Sequence, residues 1–275
     1  MINHIILTST PETLMPRRML PLFVRTLLCL LALILPACSP GATQAPATTL
    51  TVMAAVSLSA AFTELGAQFE ARHPDARVTF NFAGSQQLAQ QITQGAAADV
   101  FASANHEQMA NAVDTKRIQA DSIWLFATNR LAVIYPADNP ANLHGLSDLA
   151  SSGLKLILAA QEVPAGKYAL EFLDKVQAAG DFGADYRAAV LANVVSYEDN
   201  VRAVLTKVAL GEADAGIVYT SDVNAPEAPQ VGQLVIPDER NVLAQYPIAA
   251  LADSPHPELA AQFIAFVISP DGQAV

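Results

Sequence analysis

Four short stretches place a hydroxyl or a small residue at the point where a strand or loop gives way to helical spacing. They are "AAVSLS" around Ser57, "FAGSQQ" around Ser85, "EVPAGKYA" around Ala165 and "SYEDNVRAV" around Val201. In "VTFNFAGSQQLAQQI", residues 78–92, Val78, Phe80 and Phe82 alternate as in a half-buried strand, whereas Leu88 and Ile92 repeat at helical spacing. The change falls on Gly84-Ser85. A helix start after such a junction offers backbone N–H groups without intrahelical partners at the positive end of the helix dipole, so a small anion is favoured there. Pro164 suits a first helical turn, and Gly166 beside it admits a close backbone approach. Each junction also has a plainer explanation. Ser57 and Ser85 are ordinary N-cap types, Val201 fits the apolar stripe of an amphipathic helix, and Tyr219, ending "GIVY", suits a buried tyrosine bonded to a carbonyl.

Stepping out from the junctions, strand-like runs alternate with helical patterns along most of the chain. "TLTVMAAV" precedes a helix with Leu58, Phe62, Leu65 and Phe69 on one face, stopped at His73-Pro74. Further strands are expected at 99–103, 130–135, 154–160 and 215–219, with a helix over Asp199 to Leu210 carrying Val201, Val204, Leu205 and Val208. This is an α/β chain with mainly parallel sheet. The stretch Trp124 to Pro136 and the later "QYPIAAL" read as paired crossings between two lobes. Residues 48–127 plus 241–275 then form lobe I and residues 128–240 lobe II, with ligand at the strand carboxyl ends between them.

Residues 1–47 read as an export signal and linker. Arg17, Arg18 and Arg25 precede an apolar run too short to span a bilayer, and small residues follow. Two processing sites are open: "LPAC" at Cys38, as in a lipid-anchored protein, and "APA" at Ala47. Cys29 and Cys38 are the only cysteines, so the chain beyond Ala47 has no disulfide and no Cys metal site. The whole chain has a formal charge of −11; the leader holds three arginines and one glutamate, so the remainder stands at −13. That balance argues against nucleic acid and anionic membrane faces as partners, and it repels anions at long range. An anion must therefore be held by local dipoles.

Catalysis finds little support in the residue pattern. Neither "AVSLS" nor "AGSQQ" is the Gly-x-Ser-x-Gly elbow of a serine hydrolase. His73, His106, His144 and His256 lie in separate turn-like contexts without metal-ligand spacing and are expected at the surface. The donor positions of the junctions hold no Arg and Asp pair for an amino acid, since Asp199 and Arg202 beside Val201 are expected to point outward.

Taken together, "MAAVSLSAAF", "FAGSQQLAQQI", "GAAADVFASAN", "VPAGKYA", "NVRAVLTKV" and "AGIVYTSD" resemble, in order and spacing, the periplasmic molybdate-binding proteins that serve ABC-type molybdate importers. The resemblance runs from residue 50 to about residue 270; binders of other oxyanions share parts of it. It implies a two-lobed, type II-like periplasmic-binding-protein fold with the ligand in the interlobe cleft. It implies hydroxyl donors at Ser57 and Ser85, backbone N–H donors at Ala165 and Val201, and the phenol of Tyr219, with molybdenum held as its oxyanion and no direct metal ligand. No enzyme activity and no cofactor are implied. The ligand would be molybdate or tungstate, the partner a membrane permease, and the capture protein a periplasmic monomer. Gly84 and Gln86 depart from the serines common in relatives, and relatives usually run on past the position of Val275. Molybdate is a fully deprotonated dianion, so a pocket of donors alone suits it, whereas hydrogen phosphate needs an acceptor for its proton. Sulfate differs from molybdate only in size and stays open as a ligand, with a serine hydrolase the more distant alternative. Glu198 and Asp199 are expected to cap their helix and face outward. Ser85→Ala is expected to weaken binding while leaving the melting temperature of the ligand-free protein nearly unchanged.

Overall fold

Alternating apolar segments with β-branched residues build the strands, and the computed structural model describes residues 47–224 and 228–275. The export signal and Cys38 lie outside the described residues. Lobe I opens with β1 (Thr48–Ala55), α1 (Ser59–Arg72), β2 (Ala76–Ala83), α2 (Ser85–Thr93), β3 (Val100–Ala102), α3 (His106–Asp114) and β4 (Trp124–Asn129). Lobe II follows with β5 (Leu131–Pro136), β6 (Leu156–Ala159), α4 (Pro164–Ala179), α5 (Tyr186–Ala192), β7 (Val194–Glu198), α6 (Val201–Ala209), β8 (Ala215–Tyr219), α7 (Thr220–Asn224) and β9 (Val231–Leu234). The chain returns to lobe I with β10 (Ala244–Ala250), α8 (Pro257–Val267) and α9 (Pro270–Gln273).

Two five-stranded sheets result, ordered β2-β1-β3-β10-β4 and β7-β6-β8-β5-β9. In the first, β1 runs parallel to β2 and β3, while β10 runs antiparallel to both β3 and β4. In the second, β6 runs parallel to β7 and β8, while β5 runs antiparallel to β8 and β9. Four strands of each sheet therefore share one direction, and the reversed one has just crossed from the other lobe. A parallel neighbour needs a crossover helix to bring the chain back; β4 and β5 are joined by Arg130 alone, which leaves no room for one. The expected α/β class with mainly parallel sheets holds, each sheet carrying one reversed strand.

Packing in both lobes follows the helical periodicity. Phe62, Leu65 and Phe69 of α1 lie on one face and are buried. Phe62 and Phe69 meet Phe263 of α8 edge to face, with centroids 6.2 and 5.3 Å apart. Each such ring stabilises the fold by about 1.5–3 kcal/mol through burial. Val201, Val204, Leu205 and Val208 of α6 are likewise buried against the second sheet. These contacts fix the helix starts against the carboxyl ends of the parallel strands.

Candidate functional site

The five residues Ser57, Ser85, Ala165, Val201 and Tyr219 line one cavity of about 10 Å³ between the lobes. Lobe I contributes the 3-10 turn Val56–Leu58 before α1 and the start of α2; lobe II contributes the starts of α4 and α6 and the end of β8. No residue lining the cavity carries a charge.

Local capping decides which donors remain free. Gly84 is the N-cap of α2 and has no side chain to occupy the first N–H groups, so those of Ser85 and Gln86 stay available. Pro164 is the first residue of α4, which puts the N–H of Ala165 at the head of that helix. Asn200 caps α6 by accepting from the N–H of Ala203 at 2.9 Å, three positions on, and leaves the N–H of Val201 uncapped.

Both serine hydroxyls are held by partners from elsewhere in lobe I. Ser85 is 1% exposed, and its Oγ accepts the backbone N–H of Ala104 at 3.0 Å. A hydroxyl that accepts on one side has its proton to donate on the other. Ser57 Oγ lies 3.1 Å from Tyr246 Oη. Tyr219 Oη is buried and has no hydrogen-bond partner among the described residues. Burial, and next the neighbouring Tyr246, push its pKa well above the usual phenol value, so it is a neutral donor. A buried, unmatched hydroxyl costs about 1–3 kcal/mol, which an acceptor in the cavity would recover.

The rim is closed by contacts between lobes. Gln86 Nε2 donates to the carbonyl of Asp199 at 2.6 Å, and Gln87 Nε2 to its carboxylate at 3.1 Å. Arg202 Nη2 donates to Ser59 Oγ at 3.2 Å, and Lys167 pairs with Glu107. A Cβ at Gly84 would stand 2.7 Å from the Asp199 carbonyl, so a glycine is needed for the lobes to meet here. The two departures noted in the sequence, Gly84 and Gln86, are thus both parts of this contact.

Several expectations are corrected. Asn200 caps α6, not Glu198 or Asp199. Glu198 is buried and faces inward, accepting from Lys207 at 2.7 Å and Ser196 at 2.6 Å, while Asp199 is exposed and serves the opposite lobe. Arg202 reaches across the cleft instead of into solvent. His106 and His144 are exposed, but His73 stacks on Phe69 at 4.2 Å and His256 Nδ1 lies 3.3 Å from buried Asp99. The Ser254 hydroxyl beside them donates to Asp99 and not to the imidazole, which is no arrangement for a nucleophile. Sequence reasoning missed Tyr246 and Ala104, which touch Ser57 and Ser85 from distant positions, and Asn129, which donates to Tyr246.

Asp222 sits directly behind Tyr219, whose N–H it accepts at 3.1 Å; its other oxygen has no partner among the described residues. Burial raises its pKa to about 6, against the opposing pull of the Tyr219 N–H and of Arg202. The folded carboxyl thus holds its proton more tightly than the unfolded one. Its contribution to stability is complete below pH ~4 and is lost as pH rises to about 6, by roughly 3 kcal/mol in total. Urea unfolding of wild type and Asp222→Asn at pH 4 to 7 is expected to show a smaller loss across this window in the variant. Equal losses would place the proton elsewhere.

Residues 50–275 match a family described as bacterial extracellular solute-binding protein. The chain is similar to the molybdate-binding protein ModA of Mycobacterium tuberculosis, with 39% identity over 240 residues, 87% of each chain. Among solved structures it is similar to the sulfate-binding protein SubI of M. tuberculosis at TM-score 0.71 and 18% identity, covering 82% of this chain and 83% of that one. It is also similar to the periplasmic molybdate-binding protein of Azotobacter vinelandii at TM-score 0.68 and 19% identity, covering 81% and 94%. The two solved structures establish the fold and leave the ligand open.

Proposed function

The chain belongs to the bacterial extracellular solute-binding proteins, and from that premise we propose that it captures molybdate, and tungstate with it, for delivery to the membrane permease of an ABC importer. It acts in the periplasm as a monomer, without cofactor and without catalysis, and Cys38 is its lipid anchor where that cysteine is processed. Ser57, Ser85 and Tyr219 donate hydroxyl protons to the oxyanion, and Ser57, Ser85, Ala165 and Val201 donate backbone N–H groups.

The observation that carries this reading is a small cavity between the lobes lined by Ser57, Ser85, Ala165, Val201 and Tyr219 and by no charged side chain, in a strongly acidic chain. Hydrogen bonds to a charged acceptor contribute about 1.5–3 kcal/mol each, so several together reach the ~8 kcal/mol of micromolar binding, with desolvation of the dianion opposing them. Closure excludes water and brings the second lobe's donors to the ion, so ligand selects the closed form that a permease can recognise.

Sulfate is the second reading. The small volume of the cavity favours it, because molybdate has longer bonds to oxygen and needs the lobes to part slightly. Parallel calorimetric titrations with molybdate, tungstate, sulfate and phosphate decide between them. Molybdate and tungstate are expected to bind tightly, sulfate more weakly, and hydrogen phosphate poorly for want of an acceptor. Tight phosphate binding, or sulfate ahead of molybdate, would reject the assignment.

A further inference from the structure

Tyr246 lies outside the set of residues lining the cavity, yet it is 1% exposed and touches one of the expected donors. Its hydroxyl stands 3.1 Å from Ser57 Oγ on one side and 3.3 Å from Asn129 Nδ2 on the other. Asn129 ends β4 at the crossing between lobes. Its amide cannot be turned round, because Oδ1 accepts the backbone N–H of Arg130 at 2.9 Å and the hydroxyl of Thr220, also at 2.9 Å. The Nδ2 end is therefore fixed as a donor, to Ser221 Oγ at 2.7 Å and to Tyr246 Oη.

Direction then propagates along the chain of bonds. Tyr246 Oη receives a proton from Asn129 and must place its own on an acceptor, since it is buried. Tyr219 Oη makes no hydrogen bond among the described residues, which leaves Ser57 Oγ. With Ser57 accepting from Tyr246, the serine's proton is free for the cavity. The opposite polarity would give Tyr246 two donors and leave its own proton unmatched in the interior.

We infer that Tyr246, oriented by Asn129, is a positioning residue that fixes Ser57 as a hydrogen-bond donor to the captured oxyanion. The same two bonds tie that donor to the interlobe crossing, because Asn129 also holds Thr220 and Ser221 of lobe II. The inference rests on the oxyanion reading above and adds to it a residue that never touches the ligand.

A double-mutant cycle tests it, with molybdate, tungstate and sulfate titrated into wild type, Ser57→Ala, Tyr246→Phe and the double variant. Tyr246→Phe is expected to weaken binding about fivefold in the native background and less than about twofold when Ser57 is already alanine, as for residues acting through one network. Losses that multiply would overturn the inference, since Tyr246 would then act without Ser57. If wild type binds none of these ions, the oxyanion reading fails, and neutron diffraction of the deuterated ligand-free protein decides the polarity by itself. A deuteron on Tyr246 Oη aimed at Ser57 Oγ upholds the chain of donors, and one on Ser57 aimed at Tyr246 removes it.

Discussion

Replacing Ser85 with alanine is expected to weaken molybdate binding by about one to two orders of magnitude and to lower the melting temperature of the ligand-free protein by several degrees. The first effect follows from losing one hydrogen bond to a dianion, about 1.5–3 kcal/mol. The second has a different origin. Ser85 Oγ is the acceptor for the buried N–H of Ala104, and alanine leaves that group without a partner at about 1–3 kcal/mol. For a domain of this size each kcal/mol moves the transition by about 2–4 °C. Sequence reasoning expects no change in melting, because the bond to Ala104 joins positions 19 residues apart and has no local signature. Calorimetric titration and thermal melting in one buffer separate the terms. Unchanged affinity would move the ion away from α2. Lost affinity at unchanged melting would mean that Ala104 finds another acceptor. A companion variant, Ser57→Ala with Tyr219→Phe, removes two hydroxyls from the opposite walls and is also expected to lose binding.

What the sequence revealed and what it hid divide along physical lines. Periodicity located α6, whose four apolar positions are all buried, and the run "AGIVY" that forms β8 end to end. Strand-to-helix junctions were legible because the change from a period of two to one of 3.6 is local. The choice of cap was not, since Glu198, Asp199 and Asn200 are consecutive and all can accept; only the extended backbone of Asn200 and its bond to Ala203 select it. Contacts across the cleft were invisible for another reason. Gln86 and Asp199 are 113 residues apart, and Ser57 and Tyr246 189 apart, so nothing near either residue reports its partner. The functional elements of the rim are pairings of this kind. The direction of β5 and β10 was hidden likewise, because a strand's residues record its burial and not the side from which the chain arrived.

Gly166→Ala is expected to destabilise lobe II by about 2–3 kcal/mol and to weaken oxyanion binding by about tenfold or more, although residue 166 has no place among the donors. It is the third residue of α4, and a Cβ there would stand 2.1 Å from the carbonyl oxygen of Ala160 and 2.3 Å from that of Ala159. Both obstacles are backbone at the end of β6, so neither can swing aside as a flexible side chain would. Relief requires the helix start to lift from the strand by about the ångström separating these distances from an ordinary contact. Ala165 is the next residue back, and its N–H would move with the turn. A hydrogen bond weakens steeply once its length or angle departs from the favoured range, and the bond to the ion would be lost or bent. Gly145→Ala provides the comparison, because the nearest atom to its added Cβ is Ser147 Oγ at 3.8 Å and its φ of −160° is open to any residue. That variant is expected to stay within about 0.5 kcal/mol of wild type with unchanged binding. Equal behaviour of the two variants in urea unfolding and titration would show that α4 is free to shift on β6, and that Ala165 is not held in place by the close contact of its neighbour.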